Sequence, residues 1–249
     1  MSNHSNAVHI LKFESLDSTN NYAMNLLKEG KASNLDCIWA LQQTKGRGQR
    51  GNTWESDAGK NLTFSLICFP AALEAAQGFY LSMAVSLAAL EFIRMYSQAV
   101  MIKWPNDIYL KGRKTGGILI ENTIEGPYIK ASVLGMGLNI NQKHFSGDLP
   151  HATSLASVCG KELDLEQALG EISGYLVKQL RRIDQGEYES LRHDYKANLL
   201  GMGENMEYRD KKGIFFGMIT GVEESGRLVI MDTEGTIRKY YFQEVEWIR

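Results

Sequence analysis

QTKGRGQRGNTW, residues 43–54, contains three glycines, three cations and almost nothing apolar. Gly46, Gly48 and Gly51 are spaced G-x-G-x-x-G, and the fold turns on how that spacing is read. A dinucleotide fingerprint needs an apolar helix straight after the glycines and an acid about 20 residues on. Here the loop continues NTWESDAGKN, polar and turn-rich, and the position 20 beyond Gly51 is Ala71. A kinase loop needs a Val where Thr53 stands, together with H-R-D and D-F-G segments that the chain lacks. The triphosphate P-loop needs Lys where Asn52 stands. An RNA-binding tract would repeat its Arg-Gly unit; there is one copy. A solvated basic turn fits the loop taken alone. The physics favours an anion. Lys45, Arg47 and Arg50 place three charges within six residues, glycines let backbone N–H groups approach a bound group, and Trp54 can stack on a flat ring.

The rest of the chain narrows the choice. Its 249 residues suffice for one large domain plus a small appendage. Net charge is −2, so the cations near Arg47 are local and a nucleic-acid coat protein is disfavoured. Three cysteines, Cys37, Cys68 and Cys159, form no C-x-x-C pair and sit in or beside apolar runs, as core residues of a reducing cytosol would. No two of the five histidines (4, 9, 144, 151, 193) share a helix face at i, i+4, which argues against a metal cluster. The N-terminus shows no secretion signal, and no run of 18 apolar residues predicts a membrane span. A cytoplasmic protein is expected.

Strands are predicted over 9–16, 35–43, 61–69, 100–103, 108–110, 117–122 and 128–139. Helices are predicted from the 17–18 cap to Gly30, over 78–96, over 165–183 with Asp164 and Gln167 as a cap pair, and over 188–199. After Gly201-Met-Gly203 the period changes to alternation through Ile214, Phe216, Met218, Thr220 and Val222. The fold class is α+β: a mainly antiparallel or mixed sheet backed by helices over 1–199, then a small all-β unit over 200–249, too small to be very stable alone.

Three more pieces carry polar chemistry. Ser18-Thr19-Asn20 can cap a helix or bind a small neutral polar head such as a urea. KWPND (103–107) is a turn, or a bend that presents Asn106 and Asp107. KTGGILIE (114–121) puts Lys114 beside Gly116-Gly117 at the entry to an apolar strand, a place for a cation near a ligand.

S-x-D-S-T-N, Q-T-x-G-R-G-x-x-G-x-x-W, K-W-P-N-D, K-x-G-G-I-L-I-E and G-x-G-x-N-x-N, in this order between Ser15 and Asn141, resemble the motif series of biotin protein ligases. The resemblance implies a class II synthetase-like catalytic domain followed by a small SH3-like β-barrel. It implies a two-step reaction: biotin and ATP, with Mg²⁺ on the phosphates, give biotinyl-5′-adenylate, and a lysine of a biotin carboxyl carrier protein domain then attacks it. By match to motif positions, Ser18, Thr19, Asn20 and Gln43 would hold biotin's ureido end or its pocket wall. Arg47, Gly48 and Gln49 would close over the acid and adenylate, with Gly117 against biotin. Arg50 and Trp54 would face the nucleotide, with Asn106 and Asn139 near its phosphate or base. Lys114 would reach the carboxylate and the α-phosphate. Asp107 would steer or deprotonate the acceptor lysine. Lys114, Arg47 and Asp107 are thus the catalytic candidates.

The chemistry fits the residues. A carboxylate and a triphosphate repel, so cations must neutralise both as they meet. The adenylate must be kept from water, which a glycine-hinged lid over 43–54 would do. One departure stands out: the family's loop often reads G-R-G-R-R-G, and Gln49 replaces an arginine. Retention of the adenylate is weaker on that account, or Lys45 compensates. The first motif begins too early for a preceding DNA-binding module, so a stand-alone ligase without a transcriptional role is expected; relatives include dimers and monomers, and a homodimer stays open. The alternatives are a lipoate or octanoate enzyme of the same fold, and a non-catalytic biotin- or RNA-binding protein.

Overall fold

The computed structural model describes residues 7–147 and 151–248; the predicted chain start, with His4, lies outside them. Among these described residues twelve strands form two sheets, accompanied by five α-helices. The large sheet uses β1 (His9–Leu16), β2 (Asp36–Gln43), β3 (Leu62–Cys68), β4 (Val100–Lys103), β5 (Asp107–Leu110), β6 (Arg113–Glu125) and β7 (Tyr128–Leu138). Their order is β1-β2-β3-β7-β6-β5-β4. Only β1 and β2 run parallel; the other neighbours are antiparallel, so the sheet is mixed.

Alternation along these strands feeds two layers. On one face Ala23 of α1 (Thr19–Lys28) meets Ile38, Ile67 and Val133. On the other, Cys37, Trp39, Leu66 and Leu134 join α2 (Phe79–Arg94) and α4 (Leu165–Asp184) in the main core. Ala75–Arg94 has the length and composition of a membrane span, a feature the 18-residue criterion above passed over; in the fold it is the central core helix, with Tyr80, Leu81, Ala84, Leu90 and Phe92 fully enclosed. Asp164 caps α4 by accepting from the Gln167 N–H at 2.8 Å. The sequence pattern did not show α3 (Leu155–Cys159), a five-residue turn of helix capped by Ser154. Burial pushes the Cys37 and Cys68 thiols up to about 12, so neither is a ready nucleophile.

After α5 (Tyr188–Ala197), β8 (Asn205–Asp210), β9 (Gly213–Val222), β10 (Leu228–Asp232), β11 (Ile237–Tyr240) and β12 (Glu246–Ile248) form a five-stranded antiparallel sheet ordered β11-β10-β9-β8-β12. Ile219, Val222, Leu228 and Ile230 belong to the same core cluster as α2. The junction is specific. Trp104 Nε1 donates to the Gly226 carbonyl at 2.9 Å, and Gly226, at φ +85, lets the turn lie on the Phe79 ring where a Cβ would intrude. The second sheet is thereby fixed beside the β4–β5 turn, which contains the cis Trp104–Pro105 peptide.

Candidate active site

On the α1 face of the large sheet, β5, β6 and β7 form the floor of a cleft of about 340 Å³. The floor is low because it is glycine. Gly117, Gly135 and Gly137 face the same way by strand parity, and side chains from above rest on them. A Cβ at Gly135 would overlap Asn20 Oδ1, and one at Gly137 would overlap the Trp54 indole. The glycines of GMGLNIN therefore make room for protein side chains that shape the cleft.

One end of the cleft is a fixed polar network. Gln43 Oε1 accepts from the Thr19 N–H at 2.7 Å and from Thr19 Oγ1 at 3.1 Å. Ser65 Oγ bridges Thr19 Oγ1 at 2.7 Å and Asn20 Oδ1 at 2.6 Å. The Asn20 amide donates to the Leu119 carbonyl and, at 2.8 Å, to Glu121 Oε2. Ser18 occupies the N-cap position of α1, but its side chain makes no capping bond; it lines the cleft instead. Asp17 takes over the local bonding. Its carboxyl accepts from the Asn21 amide and the Ser18 N–H, and these bonds hold it below the usual carboxylate range.

Farther along the floor stands the Lys114–Asp107 pair, Nζ to Oδ1 at 2.6 Å. A β-bulge puts it there. Lys114 and Gly117 differ by three positions and would point to opposite faces of a regular strand. The β5–β6 register shifts at this point: Ile108 pairs with Gly116, then Tyr109 with Lys114, leaving Thr115 as the extra residue. The bulge turns Lys114 to the cleft face. Its backbone is fixed on the other side too, with its N–H bonded to the His151 carbonyl and its carbonyl to the Thr153 N–H, both at 2.8 Å. The predicted strand at 117–122 is longer than expected for this reason; it begins at Arg113 and includes the bulge.

The 43–54 loop is the wall above. Its arms pair through Gly48 N to Asn52 O at 2.7 Å and Trp54 N to Gly46 O at 3.0 Å. Arg50 and Gly51, at φ +51 and +86, make the left-handed tip. Arg47 Nη2 lies 2.8 Å from Glu121 Oε1, and its Nη1 donates to Glu121 Oε2 at 3.1 Å and Asn21 Oδ1 at 2.7 Å.

Ser18, Thr19, Asn20, Gln43, Arg47, Gly48, Gln49, Trp54, Asn106, Asp107, Lys114 and Gly117 all line this one cleft. Arg50 and Asn139 do not. Arg50 extends from the left-handed tip to the turn between β11 and β12, 3.4 Å from Gln243 Oε1 and 5.8 Å from the Phe242 ring centroid. Asn139 is buried beside the bulge: its N–H donates to the Thr115 carbonyl, and its Oδ1 has no partner among the described residues. The lining also includes residues not singled out from sequence, among them Lys103 and, from the C-terminal β unit, Phe242, Val245, Glu246 and Trp247. Lys103 Nζ lies 5.2 Å from the Tyr109 ring and 5.5 Å from the Trp247 ring, so the cleft closes where the two sheets meet. Nor was Glu121, the partner of Arg47. The motif K-x-G-G-I-L-I-E contains it, and its charge at the end of an apolar strand was the available signal.

Chemically, the cleft joins a neutral hydrogen-bonding network at one end to the Lys114–Asp107 ion pair at the other, beneath the 43–54 loop. Among the described residues no three His, Cys, Asp or Glu side chains cluster as metal ligands.

Residues 12–139 match the family model described as biotin/lipoate A/B protein ligase family. The chain is 30% identical over 244 residues to the bifunctional ligase/repressor BirA of Bacillus spizizenii, covering 96% of this chain and 74% of that protein. It is 30% identical over 225 residues to the biotin–[acetyl-CoA-carboxylase] ligase of Paracoccus denitrificans, covering 88% and 92%. The structure superposes on a biotin protein ligase from Aquifex aeolicus in complex with biotin and ATP, with TM-score 0.78, 25% identity, and 97% and 99% of the two chains covered.

Proposed function

The chain belongs to the biotin/lipoate A/B protein ligase family, and from that premise we propose that it is a biotin protein ligase. It activates biotin with ATP to biotinyl-5′-AMP and passes the biotinyl group to a lysine of a biotin carboxyl carrier protein domain. One observation carries the reading: the Lys114–Asp107 pair opens onto the same cleft as the Thr19–Asn20–Gln43 network.

In the first step a biotin carboxylate oxygen attacks the α-phosphorus. The new acyl–phosphate bond forms as the bond to the β-phosphate oxygen breaks, and pyrophosphate leaves with the electron pair. Two anions meet here, and Lys114 supplies the fixed positive charge between them. Asn106 is oriented for the nucleotide by the hydrogen bond its side-chain NH₂ donates to the Ile118 carbonyl at 2.7 Å, and Trp54 gives a flat apolar face. Magnesium enters with the nucleotide, as part of that substrate.

The ureido head takes the opposite end. Gln43 Oε1 is committed to Thr19, which turns the Gln43 amide N–H₂ toward the ligand as a donor. Ser18 and Thr19 add hydroxyls. Gly48 and Gln49 of the lid, and Gly117 of the floor, pack along the acid.

In the second step the acceptor lysine must be neutral to attack the acyl carbon, and AMP leaves. Asp107 is the carboxylate at that junction and receives the amine proton. Biotin-dependent exchange of labelled pyrophosphate into ATP tests the proposal. Exchange with biotin supports it; exchange with lipoate or octanoate alone transfers the chain to another branch of its family, and no exchange with any acid refutes an adenylating role.

A further inference from the structure

Arg47 and Lys114 both line the cleft, yet their charges stand apart. Asp107, which holds Lys114, is paired across the sheet with Gly117. Glu121, which holds Arg47, lies four residues farther along β6, about 13 Å away at ~3.3 Å per residue. A guanidinium spent on Glu121 and Asn21 is not at the phosphorus.

We propose that Glu121 is a positioning residue: its carboxylate clasps Arg47 and so holds the 46–54 lid closed over the bound acyl adenylate. This rests on the reading of the cleft as an adenylate site. Three observations support it. The lid is internally paired, so fixing one residue on each side fixes the whole flap: Gly48 to Asn52 and Gly46 to Trp54 tie its arms together. The contact at the tip is long, with Arg50 only 3.4 Å from Gln243 Oε1, whereas the Arg47 contacts are a two-pronged pair of 2.8 and 3.1 Å plus 2.7 Å to Asn21. The clasp is also built to reopen. Both side chains are partly exposed, at 41% and 26%, so the pair is a modest interaction that water can replace. When Arg47 leaves, Glu121 keeps its hydrogen bond from the Asn20 amide and stays in place. Asn20 in turn lines the polar end of the cleft, so the group that seats the clasp also belongs to the wall that meets the ureido head.

Glu121→Gln tests this cleanly, because the Gln carbonyl still accepts from Asn20 while the charge is lost. Hydrogen–deuterium exchange at the Gly48 and Trp54 amides of the ligand-free full chain reads the melting of the paired lid that follows its release from the clasp, with no substrate present. Glu121→Gln and Arg47→Ala should each speed exchange about two- to fivefold, as expected for loss of a partly exposed ion pair, and the double variant should be no faster than either. Release of preformed biotinyl-5′-AMP should accelerate by the same factor in all three. Unchanged exchange in Glu121→Gln overturns the clasp whatever happens to activity. So do effects that multiply in the double variant, since residues acting at separate places would add. Coupled, faster exchange in a protein that makes no adenylate would uphold the clasp and sink the functional reading instead.

Discussion

Two cation–carboxylate pairs, each with its cation on the cleft wall, are built in opposite ways. Lys114 and Asp107 stand on neighbouring strands, and a bulge locked by backbone bonds to residues 151–153 aims the lysine. Arg47 and Glu121 join a strand to a loop whose tip is a left-handed turn. In the first pair neither backbone can move without breaking the sheet. In the second one partner can leave. The same two charges thus serve different ends: a fixed cation for chemistry, and a reversible one for access. Proximity of charged groups in a cleft does not by itself say which role each plays; the element carrying the charge does.

The comparison can be broken by variants that should rank in size. Lys114→Ala should lower the rate of adenylate formation by about 10²–10³, as for loss of a preorganised charge at a transition state. A loss no larger than that of Arg47→Ala in the same single-turnover assay would abolish the distinction. Asp107→Asn should slow transfer from preformed adenylate to a carrier domain by about a hundredfold, and slow adenylate formation less; equal losses in both steps would make it only a partner for Lys114. Gly137→Val would drive a side chain into the Trp54 indole and should cost about 1–3 kcal/mol of stability in denaturant melts, an overpacking penalty on the rigid side. Gln49→Arg restores a cation to the lid, and adenylate release should slow by about two- to fivefold, the size of a partly exposed charge contact; faster release would show that the lid's charge is already in balance.

Much of this arrangement was legible in the chain before folding. Alternation and capping located the strands and long helices to within a few residues, because these are local signals: Asp164 with Gln167 is one. The motifs marked the residues of the cleft, but their spacing could not say which side chain faces which. Lys114 reaches the floor only because Thr115 is an extra residue in its strand, and a bulge depends on the register of a partner seen only in the sheet. Phe242, Glu246 and Trp247 read as the end of a small β unit; their place in the cleft depends on how Gly226 seats that unit on Phe79 and Trp104. Arg50 and Asn139 matched motif positions and still do not line the cleft, one carried by a left-handed tip to the turn between β11 and β12, the other enclosed beside the bulge.

A crystal structure of the protein with biotinyl-5′-AMP would test the central claim most directly. The account predicts Lys114 Nζ within hydrogen-bonding distance of the α-phosphate oxygens, the ureido ring against Thr19 and Gln43, and Arg47 still on Glu121 beneath a closed lid. An adenylate whose phosphate lies against Arg47 and away from Lys114 would contradict it.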